Sequence, residues 1–169
     1  MMPEQCTLAA FILATLVHNF TDGQQKAEKE NLISVCLEHL DNQEPVLRQW
    51  LAIALGRVWE KFDKAKWRAA RDNAHERLYD LLRDPVPEVR AAAVFALGTF
   101  INSCDERTEH ANTLDSSICL HLLNVSTEDG SPLVRRELIV ALQYFVYIFE
   151  ANMVAVARVA LEEQNQAAA

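Results

Sequence analysis

The sequence predicts an all-α fold, a right-handed α-solenoid of helical repeats, and three observations predict it. The phrase Pro45-Val46-Leu47-Arg48-Gln49-Trp50-Leu51-Ala52-Ile53-Ala54-Leu55-Gly56 returns 42 residues later as Pro87-Glu88-Val89-Arg90-Ala91-Ala92-Ala93-Val94-Phe95-Ala96-Leu97-Gly98. It returns again after 45 more residues, from Pro132-Leu133-Val134-Arg135 through Ala141-Leu142. The helices so marked are apolar on nearly every side. Val89, Ala93, Ala96 and Phe100 keep helical spacing while Val94, Phe95 and Leu97 fill the other faces, so each helix must be covered by its own partner and by adjacent repeats. Only 4 glycines and 5 prolines leave little material for hairpins. A helical period of this length is that of HEAT/armadillo-type repeats.

The elements follow in order within one solenoid unit over residues 1–169, expected to be truncated at both ends. A half repeat over about 4–20 comes first, with Leu8 to Phe20 apolar; its Ala14-Thr15-Leu16 resembles the inner-helix phrase but lacks the arginine. The first full repeat, about 25–62, opens on the helix formers Lys26-Ala27-Glu28-Lys29-Glu30. Leu32, Cys36 and Leu40 fall four apart and make one apolar stripe. A turn then leads into an inner helix with Pro45 in its first turn, where the missing N–H costs nothing. The second repeat, about 66–104, puts Ala74, Leu78 and Leu82 in the stripe, with Arg68, Arg71, Asp72 and His75 on other faces of the same outer helix. The third, about 113–150, has Cys119 and Leu123 in a shorter outer helix over about 114–124. Val134, Leu138, Ala141, Leu142 and Phe145 line its inner helix. An extra helix is expected over about 151–163. Solenoids finish in polar capping repeats, and neither terminus supplies one, so the chain is expected to be a piece or a short form of a longer protein.

Charge narrows the function classes. A net charge of −8 gives no field to attract phosphate backbones or anionic membrane, which argues against nucleic acid and membrane insertion. No basic region precedes the apolar N-terminal stretch, and Thr15, His18 and Asn19 break it, so a soluble, cytoplasmic protein is expected. Cys6, Cys36, Cys104 and Cys119 follow no disulfide spacing. In the repeat register Cys36 aligns with Leu78 and Leu123, Cys119 with Leu32 and Ala74, and Cys104 with Phe62 and Phe149. Free cysteine there acts as a small hydrophobe, and this argues against a metal site built with His18, His39, His75, His110 or His121. No glycine-rich phosphate loop, nucleophile elbow or His-Glu-x-x-His motif is present, so neither an enzyme nor a cofactor is expected. Glu106, Glu109 and His110 read as a solvated acidic segment. Trp59 aligns with Ile101 and Val146 and is expected in the core; Trp50, aligned with Ala92 and Glu137, is expected to be partly exposed.

Two polar positions recur inside the phrase. Arg48, Arg90 and Arg135 are in register, and Asn42, Asp84 and Asp129 stand six residues before each. Such pairs can form charge-assisted hydrogen bonds between neighbouring repeats, a ladder that fixes their spacing. The competing reading is a row of arginines that recognises phosphates or an acidic peptide.

Leu47 to Ile53, Ala74 to Tyr79 and above all Asp84-Pro85-Val86-Pro87-Glu88-Val89-Arg90 through Phe100 resemble the α-solenoid of the Raptor family, the regulatory-associated subunits of the target-of-rapamycin kinase complex. Asp129-Gly130-Ser131-Pro132 with Val134-Arg135 and Glu137-Leu138 continues the resemblance, which covers roughly residues 3–150. It implies a non-enzymatic scaffold of TOR complex 1 that packs against the TOR kinase subunit. It also implies docking of the Rag GTPase heterodimer, which would bring the complex to the lysosomal surface. The Rag-contacting positions that the resemblance carries over are Asn31, Arg71 and Thr108, with Glu109 where the family usually has aspartate. Asn31 aligns with Asn73 and Lys29 with Arg71, which puts Asn31 and Arg71 on one edge of the stack, with Thr108 and Glu109 in the connection to the third repeat. The alternative is a structural spacer or a truncated form that binds nothing.

Overall fold

The computed structural model describes residues 3–101, 108–148, 150, 154, 157, 158, 161, 162 and 165. Among them are nine helices: α1 (Pro3–Leu16), α2 (Thr21–Lys29), α3 (Leu32–Glu38), α4 (Pro45–Trp59), α5 (Asp63–Arg71), α6 (Ala74–Leu81), α7 (Pro87–Ile101), α8 (Glu109–Ser126) and α9 (Pro132–Ile148). They form two layers. The inner layer is α1, α4, α7 and α9, each packed on the next, and the outer layer is α2–α3, α5–α6 and α8, each laid over the inner helix of its own repeat.

The inner helices behave as their all-round apolarity requires. Every residue of α7 from Val89 on is buried except Arg90 and Phe95, which are half-buried. Val89, Ala93, Val94, Ala96, Leu97, Phe100 and Ile101 have no exposed surface at all. Burial of one large apolar side chain contributes about 1.5–3 kcal/mol, so α7 is held from three directions by α4, α9 and α6. Proline is the first residue of α4, α7 and α9. Glu44 adds a cap, its carboxylate accepting from Val46 N–H at 3.3 Å.

Glycine sets how closely these helices approach. A Cβ on Gly56 would lie 3.0 Å from Ala96 Cα, and one on Gly98 would lie 2.6 Å from Ala141 Cβ. Both positions fall in the repeated Ala-Leu-Gly, so each glycine is the place where one inner helix leans on the next.

The outer layer departs from the sequence reading in two places. The single outer helix expected in each of the first two repeats is instead a pair, broken at Asn31 (φ 66°) and Asn73 (φ 53°). Asparagine tolerates the left-handed region better than most residues, and each break precedes an apolar residue that enters the core stripe. Arg68 and Arg71 therefore lie on α5, and His75 on α6. The first two repeats are three-helix units of armadillo type, the third a two-helix unit. The second departure is α8, which is longer than the expected span of about 114–124. Thr108 starts it early: its Oγ1 accepts from Ala111 N–H at 3.1 Å, and Ala111 is buried.

Cys36 and Cys119 are buried and Cys6 half-buried; burial pushes the Cys36 thiol up to about 12. Cys104 and Glu106 lie outside the described residues. So does most of the helix expected at about 151–163, within which Val154, Ala157, Arg158, Leu161 and Glu162 are helical. No helix among the described residues is long and apolar enough to cross a membrane.

Candidate functional site

The recurring arginines bind across repeats and within them at once. Arg48 donates from Nε and Nη2 to the Asp84 carboxylate at 2.7 and 3.0 Å, and Arg90 does the same to Asp129 at 2.7 and 2.9 Å. Each also donates from Nη1 to a backbone carbonyl six residues before it, Asn42 at 2.7 Å and Asp84 at 2.8 Å. Arg135 donates likewise to the Asp129 carbonyl. The cross-repeat carboxylate thus comes from the following turn, while the residue six positions upstream gives its backbone oxygen. The aspartates also close those turns: Asp84 accepts from Val86 N–H at 2.9 Å and Asp129 from Ser131 N–H at 2.8 Å. Arg90 beside it holds the Asp129 carboxyl below its usual range. Asn42 uses its side chain only for the local turn, accepting from Glu44 N–H at 3.0 Å.

The other four positions lie along one outer edge. Asn31 is exposed at the α2/α3 break, and its Oδ1 accepts from Arg68 of the next repeat. Arg68 also donates to the Glu28 carbonyl at 2.9 Å and to its carboxylate at 3.0 Å. Lys64 reaches the other Glu28 oxygen at 3.0 Å, and Lys64 first, then Arg68, hold that carboxyl below its usual range against the effect of burial. Arg71 ends α5 one turn beyond Arg68, exposed and in no ion pair among the described residues. On the far side Trp67 meets His110, ring centroids 6.1 Å apart. Helix α5 therefore bridges Asn31 on one side and the start of α8 on the other. Thr108 and Glu109 belong to that start, as N-cap and first helical residue, and not to a free connection.

Of the histidines, His75 and His121 have packing roles. The His121 ring stacks on Tyr79 at 3.8 Å, and His75 packs edge-on against Tyr79 at 5.9 Å, with burial lowering its pKa. Trp59 is buried and donates from Nε1 to Thr99 Oγ1 at 3.0 Å. Trp50 is half-buried, edge-on to Phe11 at 4.7 Å.

Sequence reasoning missed the most buried charges. Lys66 and Asp115 are 1% and 0% exposed and pair at 3.5 Å between α5 and α8. The signal lay in the register: 42 residues before Lys66 stands Gln24, also buried, whose amide donates to the Arg57 and Glu60 carbonyls at 2.8 and 2.9 Å, closing the end of α4. A polar residue recurring at a core position marks a buried hydrogen-bonding post.

The HEAT repeat family model matches residues 76–104. Target of rapamycin complex 1 subunit mip1 of Schizosaccharomyces pombe is 36% identical over 154 residues, covering 91% of this chain and 12% of that protein. Regulatory-associated protein of TOR 1 of Arabidopsis thaliana is 41% identical, covering 86% of this chain and 12% of that protein. The crystal structure of Chaetomium thermophilum Raptor superposes with a TM-score of 0.83 at 36% identity, over 96% of this chain and 15% of that one. A designed armadillo repeat protein shares the fold, with a TM-score of 0.76 at 17% identity over 96% of this chain and 68% of that one. The chain spans about an eighth of the length of the curated relatives it matches.

Proposed function

The chain belongs to the Raptor family, and from that membership we propose that it is a non-enzymatic scaffold segment of TOR complex 1. In this reading its outer edge docks the Rag GTPase heterodimer and another of its faces meets the TOR kinase subunit. Its place is then the cytoplasm, with recruitment to the lysosomal surface through the docked GTPases and a role in nutrient and growth signalling.

One observation carries the docking reading. Asn31, Arg71, Thr108 and Glu109 come from three repeats, yet the Arg68–Asn31 bond and the Trp67–His110 contact join their elements into one edge. Arg71 is an exposed cation of that edge, in no ion pair among the described residues. Interface anchors are often arginine and tryptophan, flanked by polar groups that exclude water.

Nucleotide-loaded Rag heterodimers, pulled down with the immobilised chain, test this. Arg71→Asp should reduce retention by about tenfold or more, since a reversed charge in an interface repels its partner group. The variant's melting curve should stay that of the wild type, because Arg71 is exposed. Equal retention by both proteins removes the site assignment.

A further inference from the structure

A second surface lies on the opposite layer. The register that aligns Arg48 with Arg90 also aligns Phe11, Ile53, Phe95 and Val140, one apolar residue from each inner helix. All four are half-buried or exposed, Phe11 and Val140 each at 42%. Two grooves open along this row. One, of about 430 Å³, lies between α1 and α4, with Phe11 and Trp50 in its walls. The other, of about 230 Å³, is lined by α4, α7 and α9, with Ile53, Phe95 and Leu133 in its walls and Ala92 on its floor. No outer-layer helix lines the second groove.

The charges at these grooves are four carboxylates against one cation. Glu4 and Glu44 flank the first and Glu88 and Glu137 the second. None of the four is in an ion pair among the described residues. The one cation in either wall, Arg57, donates to the Ala14 carbonyl at 3.3 Å. Glu137 is half-buried, and burial raises its pKa, with Arg136 opposing that rise. A partly desolvated carboxylate without a counterion gains when a cation arrives.

We propose that the free face of the inner layer binds an extended peptide with an apolar residue at every third position and a basic residue beside it, laid across α1, α4, α7 and α9. Solenoids use their long repeated faces for extended ligands. Packed helices stand about 8–10 Å apart, and a polyproline II chain turns once in three residues with a rise of about 3.1 Å per residue, so an apolar anchor at every third position enters a groove from one side of the peptide. Its lysine or arginine neighbours meet the glutamates, and the Gln49 amide, also in the second groove, is placed to bond the peptide backbone.

Fluorescence anisotropy with labelled (Leu-Arg-Ser)4 tests this on the full chain, against (Leu-Glu-Ser)4 and (Ser-Arg-Ser)4. The first peptide should bind, increasingly weakly as salt rises, and both comparators should bind at least about tenfold less tightly. The double variant Glu88→Gln/Glu137→Gln, with its circular dichroism unchanged, should lose about fivefold or more. Arg71→Asp should leave peptide binding unchanged, which separates this face from the outer edge. Equal binding of (Leu-Glu-Ser)4, an unaffected double variant, or sedimentation showing the grooves closed by a second copy of the chain would each overturn the proposal.

Discussion

Arg90 shows how one residue type repeated at one position becomes architecture. Its guanidinium binds the Asp129 carboxylate in the next repeat with two nitrogens and its own turn with the third, so a single side chain fixes both the spacing between repeats and the entry to α7. Arg90→Ala leaves a largely buried carboxylate without its partner, at a cost of about 2–3 kcal/mol. The melting temperature should then fall by about 5–10 °C, read by circular dichroism. Arg135→Ala, at an exposed position whose partner among the described residues is the local Asp129 carbonyl, should move it by about 1 °C or less. The same pair gives a pH dependence. The Asp129 pKa is depressed in the fold from its ordinary 3.8, so the stability it contributes is complete above that value and lost as pH falls through the folded value. Acid titration of Arg90→Ala should show a shallower loss of stability below about pH 4 than the wild type. The arginine pattern and the aspartates were legible in the sequence. Which carboxylate serves which arginine was not, because pairing with the following repeat depends on the distance between stacked turns.

At the scale of the element, the inner helices were readable and the outer ones only in part. Apolar residues on every face admit one environment, and α4, α7 and α9 begin at the prolines that announce them. The outer helices carry a stripe that continues across Asn31 and Asn73, and periodicity alone does not register a single left-handed residue. Asn73→Gly should be close to neutral in urea unfolding, whereas Asn73→Ala should cost about 1–2 kcal/mol for a Cβ held in the left-handed region. Gly98 sets the opposite requirement. Alanine is the better helix former by about 1 kcal/mol, yet its Cβ would meet Ala141 Cβ at 2.6 Å. Gly98→Ala should therefore lower stability by about 1–3 kcal/mol in the same experiment, and a gain would show that α7 and α9 can separate without loss.

For the whole molecule, the stack is held by an apolar inner layer and by polar posts between repeats, and the buried Lys66–Asp115 pair is the deepest of these. Lys66→Met should destabilise strongly, by about 3–5 kcal/mol, because it strands a buried carboxylate. The double variant Lys66→Met/Asp115→Leu should recover much of that loss in thermal unfolding, since an apolar pair of similar volume removes the charge that needed compensation. The repeat, its period, the inner layer and the core placement of Cys36, Cys119 and Trp59 were all readable along the chain, because hydrophobic periodicity and register are properties of local order. The stacking of the repeats brought Arg68 onto Asn31, Trp67 onto His110 and Lys66 onto Asp115. Those contacts depend on residues about 40–50 positions apart being stacked side by side, at distances set by how closely glycine and alanine let the inner helices approach.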